Sequence, residues 1–142
     1  MQIVDIMSHK LVTVAMDDRL KLVQDIFKQT QLHHLPVFEC KALVGLVSER
    51  DLLRAINPNV DNPLAKDSDR ICLNKRVHQI MTRKVITIEQ DQSLNHAAQL
   101  LVEHNIGCLP VTHNEQVVGI ISWKDVLRSL YQQDLSTKRR LR

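Results

Sequence analysis

At a fixed offset of 74 residues this chain repeats itself. "DIMSHKLVTVAMDDRL" (Asp5 to Leu20) lies over "QIMTRKVITIEQDQSL" (Gln79 to Leu94), "HLPV" (His34 to Val37) over "CLPV" (Cys108 to Val111), and "VGLVSERDLLR" (Val44 to Arg54) over "VGIISWKDVLR" (Val118 to Arg128). No gap is needed from Ile3–Ile56 against Val77–Leu130, and about 15 of the roughly 54 positions are identical. A unit of that size buries too little apolar surface to stand alone, so two copies are expected to pack into one body with pseudo-twofold symmetry.

Within each copy the periodicity changes in a fixed order. "LVTV" and "VITI" are β-branched runs suited to a brief strand. After Asp17, a possible cap, Leu20, Val23, Ile26 and Phe27 recur at helical spacing, as do Leu94, Ala97, Ala98, Leu101 and Val102. "LPVF" and "LPVT" read as strands with proline near the start or at an edge, and after the turns "ECKA" and "HNEQ" a second apolar run completes a hairpin. Leu52, Leu53 and Ile56, matched by Val126, Leu127 and Leu130, then give a second helix. The pattern predicts an α/β (α+β) fold of two β-α-β-β-α units: repeat 1 over residues 1–56, a linker over 57–76, repeat 2 over 77–131 and a basic tail over 132–142. The linker has two Asn-Pro steps, and Ile71, Cys72 and Leu73 are its expected anchors. Gly45 and Gly119, three residues before each serine motif, suit a bulge or a close backbone approach, and equally a plain packing role.

Composition excludes more than it assigns. With 44% hydrophobic and 25% charged residues the chain has globular composition, and with 3% aromatics its core must be built from Leu, Ile and Val. Cys40, Cys72 and Cys108 have neither disulfide-framework nor zinc spacing, which points to a reducing compartment. No apolar run approaches a bilayer span and no signal peptide is visible, so a cytoplasmic location is expected. The net charge of +3 owes part of its excess to Lys138–Arg142, read as a solvated end, and nucleic-acid binding is a minor expectation without aromatics to stack bases. Seven scattered histidines suggest no metal site, and no nucleophile or general-base motif stands out, so no enzyme activity and no required cofactor are expected.

The chemistry sits in S-x-[RK]-D, written once as Ser48, Arg50, Asp51 and again as Ser122, Lys124, Asp125. Ser and Asp three apart at a helix start form a capping box and need no ligand. The cations do not fit that account, because a first-turn cation is opposed by the helix dipole by some tenths of a kcal/mol. A phosphate there would reverse the sign, leaving the carboxylate to accept from a neutral diol. Both readings stand on the residues alone.

These residues, with "DIM…VTV", "LPV" and the final apolar-rich motif in the same order twice, resemble a tandem pair of cystathionine-β-synthase (CBS) domains, the Bateman module. The resemblance covers nearly the whole chain apart from the linker and the tail. It implies a regulatory module that binds an adenosine compound, AMP, ADP or ATP or else S-adenosylmethionine, in clefts between its repeats. It further implies a homodimer that signals to a regulated partner protein. By the same resemblance Ser48, Arg50 and Asp51 form one half-site and Ser122, Lys124 and Asp125 the other, with serine and cation on phosphate and carboxylate on ribose. The base would be received by Val12, Leu32 and His33 in copy one and by Ile86, Ile106 and Gly107 in copy two, each set serving the other copy's motif. A structural dimerisation or interaction module without ligand is the alternative.

Overall fold

The computed structural model describes residues 2–140, so that Met1 and the last two tail residues, Leu141 and Arg142, lie outside the described residues. Each repeat supplies the expected order: β1 (Val14–Ala15), α1 (Leu20–Gln29), β2 (His34–Glu39), β3 (Ala42–Ser48) and α2 (Glu49–Ala55), then β4 (Ile88–Glu89), α4 (Leu94–Glu103), β5 (Cys108–His113), β6 (Gln116–Ser122) and α5 (Trp123–Arg140), with the short α3 (Asp67–Arg70) in the linker. Two three-stranded sheets result, β1-β2-β3 and β4-β5-β6, each with a parallel and an antiparallel pair.

The compact units do not coincide with the sequence repeats 1–56 and 77–131. One unit takes the chain up to Leu11 together with everything from Ile86 onward, and the other runs from Val12 to Val85. The leading segments have changed places. Ile3 and Met7 are buried among Ile88, Leu101, Leu109, Val111 and Ile121 of the second copy, while Val77 and Met81 are buried among Leu20, Val23, Leu35, Val37 and Val47 of the first. The backbone follows the same exchange, with Ser8 and Ile120 trading N–H···O bonds of 2.9 and 3.0 Å, and Thr82 and Leu46 trading theirs at 2.9 and 3.0 Å. Each segment thereby pairs the open edge of a hairpin, which would otherwise present unpaired backbone groups.

Gly45 and Gly119 have both features entertained for them. A register shift between Val37 and Phe38 bulges the hairpin opposite Gly45, and one between Val111 and Thr112 does so opposite Gly119. The exchanged segment also crosses close above. A Cβ on Gly45 would stand 2.5 Å from the Met81 sulfur, and one on Gly119 would stand 2.7 Å from the Ser8 carbonyl oxygen.

Other expectations shift in detail. The first strands are only two residues long, beginning at Val14 and Ile88, where parallel pairing with Val37 and Val111 starts. Pro36 and Pro110 lie in the middle strand of each sheet, yet precede that pairing and so face no β1 or β4 partner that needs their missing N–H. Asp17 does not cap α1. The N-cap position is Arg19, whose side chain makes no capping bond, and the first orphan N–H, that of Leu20, donates to the Lys75 carbonyl at 2.9 Å. Ser93 does cap α4, accepting from His96 N–H at 3.1 Å.

The linker is ordered against the first copy. Asn57 and Asn62 open Asx turns, accepting from Asn59 and Leu64 N–H groups at 2.9 Å each. Of its expected anchors Leu73 is buried and Cys72 half-buried, but Ile71 is 67% exposed, and Val60 takes the anchoring place instead. The tail also differs from a separate segment. Copy two has no Asn-Pro after its last helix, so α5 continues to Arg140 where α2 stops at Ala55. Residues 131–140 are all exposed.

Candidate functional site

Both serines stand where the last strand of a hairpin turns into a helix. Ser48 is paired with His34 across β2–β3, and Ser122 with Cys108 across β5–β6. The capping box is formed in each. Ser48 Oγ accepts from Asp51 N–H at 3.0 Å while Asp51 Oδ2 accepts from Ser48 N–H at 2.9 Å. In the second copy Ser122 Oγ accepts from Asp125 N–H at 3.3 Å, and Asp125 Oδ2 accepts from Ser122 N–H at 2.8 Å and from its hydroxyl at 3.1 Å. Serine and aspartate therefore have a complete architectural role.

The cations have none of that kind. Arg50 is exposed in the first turn of α2 and, among the described residues, makes no hydrogen bond or ion pair. Lys124 is exposed in the first turn of α5, its Nζ 5.8 Å from the centroid of the Trp123 ring. A cation–π contact at an exposed site contributes about 0.5–1 kcal/mol, which offsets the opposing helix dipole for Lys124. Arg50 has no such compensation.

The residues expected to receive a base fall in the same compact unit as their own copy's motif. Val12 and Leu32 pack on the core that holds Leu35 and Val47, and Ile86 and Ile106 on the core that holds Leu109 and Ile121. His33 and Gly107 touch the motif of their own copy directly, the His33 carbonyl accepting from Glu49 N–H at 2.9 Å and the Gly107 carbonyl from Trp123 N–H at 3.1 Å. The described bonds thus place the His33 and Gly107 carbonyls at their own copy's helix start.

Around this shared frame the two copies carry different chemistry. His33 Nδ1 lies 2.7 Å from Glu49 Oε2, a pairing for which Gly107 and Trp123 have no equivalent groups. His34 is pushed below its ordinary value by burial and by the neighbouring His33, against the pull of Asp51 and Glu49. Its counterpart Cys108 is buried, and burial together with Asp125 pushes its thiol up to about 12, so it stays protonated and unreactive at neutral pH. The sequence reading missed the His33–Glu49 pair and a 3.3 Å contact from Arg128 Nη1 to Asp125 Oδ1. The second has the i, i+3 spacing of a helical charge pair, but that spacing alone does not single it out, because Asp51 and Arg54 share it. Among the described residues no group of three or more His, Cys, Asp or Glu is placed to hold a metal ion, and no helix is long and apolar enough to cross a membrane.

Two hairpin-and-helix units, each with a serine–aspartate box at the strand-to-helix junction, define a tandem-repeat architecture, and the CBS domain model matches residues 3–58 and 77–132, so the chain belongs to that family. Among its relatives is the uncharacterized protein MJ1225 of Methanocaldococcus jannaschii, 30% identical over 126 residues, which cover 87% of this chain and 45% of that protein. MJ1426 of the same organism is 29% identical, with 92% of this chain and 91% of that protein covered. Of solved structures, the CBS domain pair of protein MJ0100 in complex with 5-methylthioadenosine and S-adenosyl-L-methionine superposes with a TM-score of 0.77 at 26% identity, covering 94% of this chain and 98% of that one. A protein with CBS domains from Burkholderia ambifaria gives a TM-score of 0.77 at 25% identity, covering 92% and 93%. The chain spans less than half of MJ1225 and 22% of the L-aspartate semialdehyde sulfurtransferase of M. jannaschii, which is 29% identical to it.

Proposed function

We propose that this chain is a ligand-sensing regulatory module without catalysis of its own, which binds an adenosine compound at Ser48, Arg50, Asp51 and at Ser122, Lys124, Asp125. An adenine nucleotide (AMP, ADP or ATP) is the preferred ligand. The observation that carries the reading is Arg50, a first-turn cation that the fold itself leaves without a partner and that recurs in type as Lys124. Phosphate gives both cations a favourable role, since it accepts from backbone N–H groups, hydroxyl and cation together. The aspartates, held at the same junctions, are acceptors for ribose hydroxyls, and the apolar flank of Val12 and Leu32, or Ile86 and Ile106, offers a slot for the base with His33 or Gly107 beside it. The adenosine compounds bound by the MJ0100 domain pair support the ligand class. In this reading the module is a cytoplasmic homodimer that passes its occupancy to a regulated protein. Only a ligand with different affinities for two arrangements can carry that signal.

S-adenosylmethionine is the second reading, favoured by that same complex and by Glu49, whose carboxylate adjoins the first motif and suits a ligand of positive rather than negative charge. Calorimetric titration of the purified chain with AMP, ADP, ATP and S-adenosylmethionine separates the two. The expected result is binding of at least one nucleotide, lost site by site in Asp51→Ala and Asp125→Ala. Absence of heat and of any rise in melting temperature at millimolar nucleotide would overturn the nucleotide reading, and heat from S-adenosylmethionine alone would replace it with the second.

A further inference from the structure

Equivalent positions of the two motifs differ in one contact that bears on ligand preference. The offset of 74 sets Asp51 against Asp125 and Arg54 against Arg128. In the second copy both carboxylate oxygens are engaged. Oδ2 accepts from the Ser122 backbone N–H and hydroxyl, and Oδ1 accepts from Arg128 Nη1 at 3.3 Å. In the first copy Oδ2 accepts from Ser48 N–H alone, and among the described residues Oδ1 of Asp51 has no partner. Among the described residues Arg54 makes no ion pair, and it stands in the last turn of the short α2, where its charge complements the helix C-terminus. Arg128 stands in the second turn of an 18-residue helix, one turn beyond Asp125, and meets the carboxylate instead.

Resting on the reading of these motifs as adenosine sites, we infer that Arg128 sets the two sites apart, by occupying on Asp125 the oxygen that remains open on Asp51. A ribose diol donates two O–H groups and needs an acceptor that is not already taken. At Asp51 that acceptor is ready. At Asp125 the diol must displace a guanidinium from a carboxylate that is only 17% exposed, so the first motif fills before the second. Arg128 is thus a specificity-determining residue that acts through Asp125. Displacing an exposed arginine from such a pair changes binding by about two- to fivefold.

The test is calorimetric titration with AMP of proteins reduced to one motif. In Asp51→Ala, which leaves the second motif, adding Arg128→Gln is expected to tighten AMP by about two- to fivefold. In Asp125→Ala, which leaves the first, adding the equivalent Arg54→Gln is expected to change nothing. Asp51→Asn, which keeps an oxygen for the Ser48 N–H, substitutes for the alanine variant if that one does not fold. Unchanged or weaker AMP binding on loss of Arg128, while the Asp125→Ala protein still binds, overturns this inference and leaves the nucleotide reading intact. Absence of AMP, ADP and ATP binding from every protein, the unaltered chain included, overturns both.

Discussion

Met7 occupies the space where a side chain on Gly119 would stand: a Cβ there would meet the Met7 sulfur at 2.7 Å and the Ser8 carbonyl oxygen at the same distance. The equivalent pair, Met81 over Gly45, leaves 2.5 Å to sulfur but 3.0 Å to the Thr82 carbonyl. A methionine terminus can swing aside, whereas a strand-paired carbonyl cannot. Gly45→Ala and Gly119→Ala are therefore both expected to destabilise, by about 1–3 kcal/mol, with Gly119→Ala the more costly. Urea unfolding of the two variants side by side checks the order.

Because Ile3 is fully buried in the core of the second copy, its truncation is expected to be felt at a distance in sequence. Ile3→Ala should cost about 2–5 kcal/mol and raise amide exchange in β5 and β6, more than 100 residues downstream, while β2 and β3 keep their protection. Hydrogen exchange read by mass spectrometry decides it. Raised exchange in β2 and β3 alone would contradict the exchanged packing.

The equivalent positions 34 and 108 make the two units sensitive to opposite ends of the pH scale. The unfolded chain takes up a proton on His34 near the ordinary 6.5, where the folded chain resists it, so this contribution is full above that pH and is lost as pH falls. For Cys108 the unfolded thiol ionises near 9.0 while the folded one holds its proton to about 12. That contribution is full below pH 9 and is lost as pH rises, by as much as about 4 kcal/mol. Protection of β2–β3 is expected to weaken first in acid, and that of β5–β6 first in alkali. His34→Leu should flatten the acid limb and Cys108→Ala the alkaline one.

Ser48→Ala and Ser122→Ala remove a cap in each unit and should each cost about 1 kcal/mol without ligand. If the motifs also hold phosphate, each variant loses in addition part of the rise in melting temperature that saturating AMP produces. Equal melting shifts in variant and unaltered protein would confine the serines to capping.

Much of this was legible in the sequence because it is local. The hairpins, the helices after Ser48 and Ser122 and the capping boxes each follow from residues within a few positions of one another. The exchange of leading segments was not legible, and for a definite reason. Ile3–Met7 and Val77–Met81 are near-equivalent, so a repeat alignment fits equally well whether each segment packs on its own copy or on the other. Asp125 and Arg128 show the limit from the other side, since Asp51 and Arg54 have the same spacing and do not pair.

The crossing of the leading segments also bears on how such a chain can arise and be divided. A single copy contains a hairpin edge with a glycine-lined groove and a methionine segment that belongs to someone else's groove. In this chain each groove is filled by the leading segment of the other copy. No single cut between the two halves of this sequence yields two whole units, because each half's leading segment is buried in the other's core.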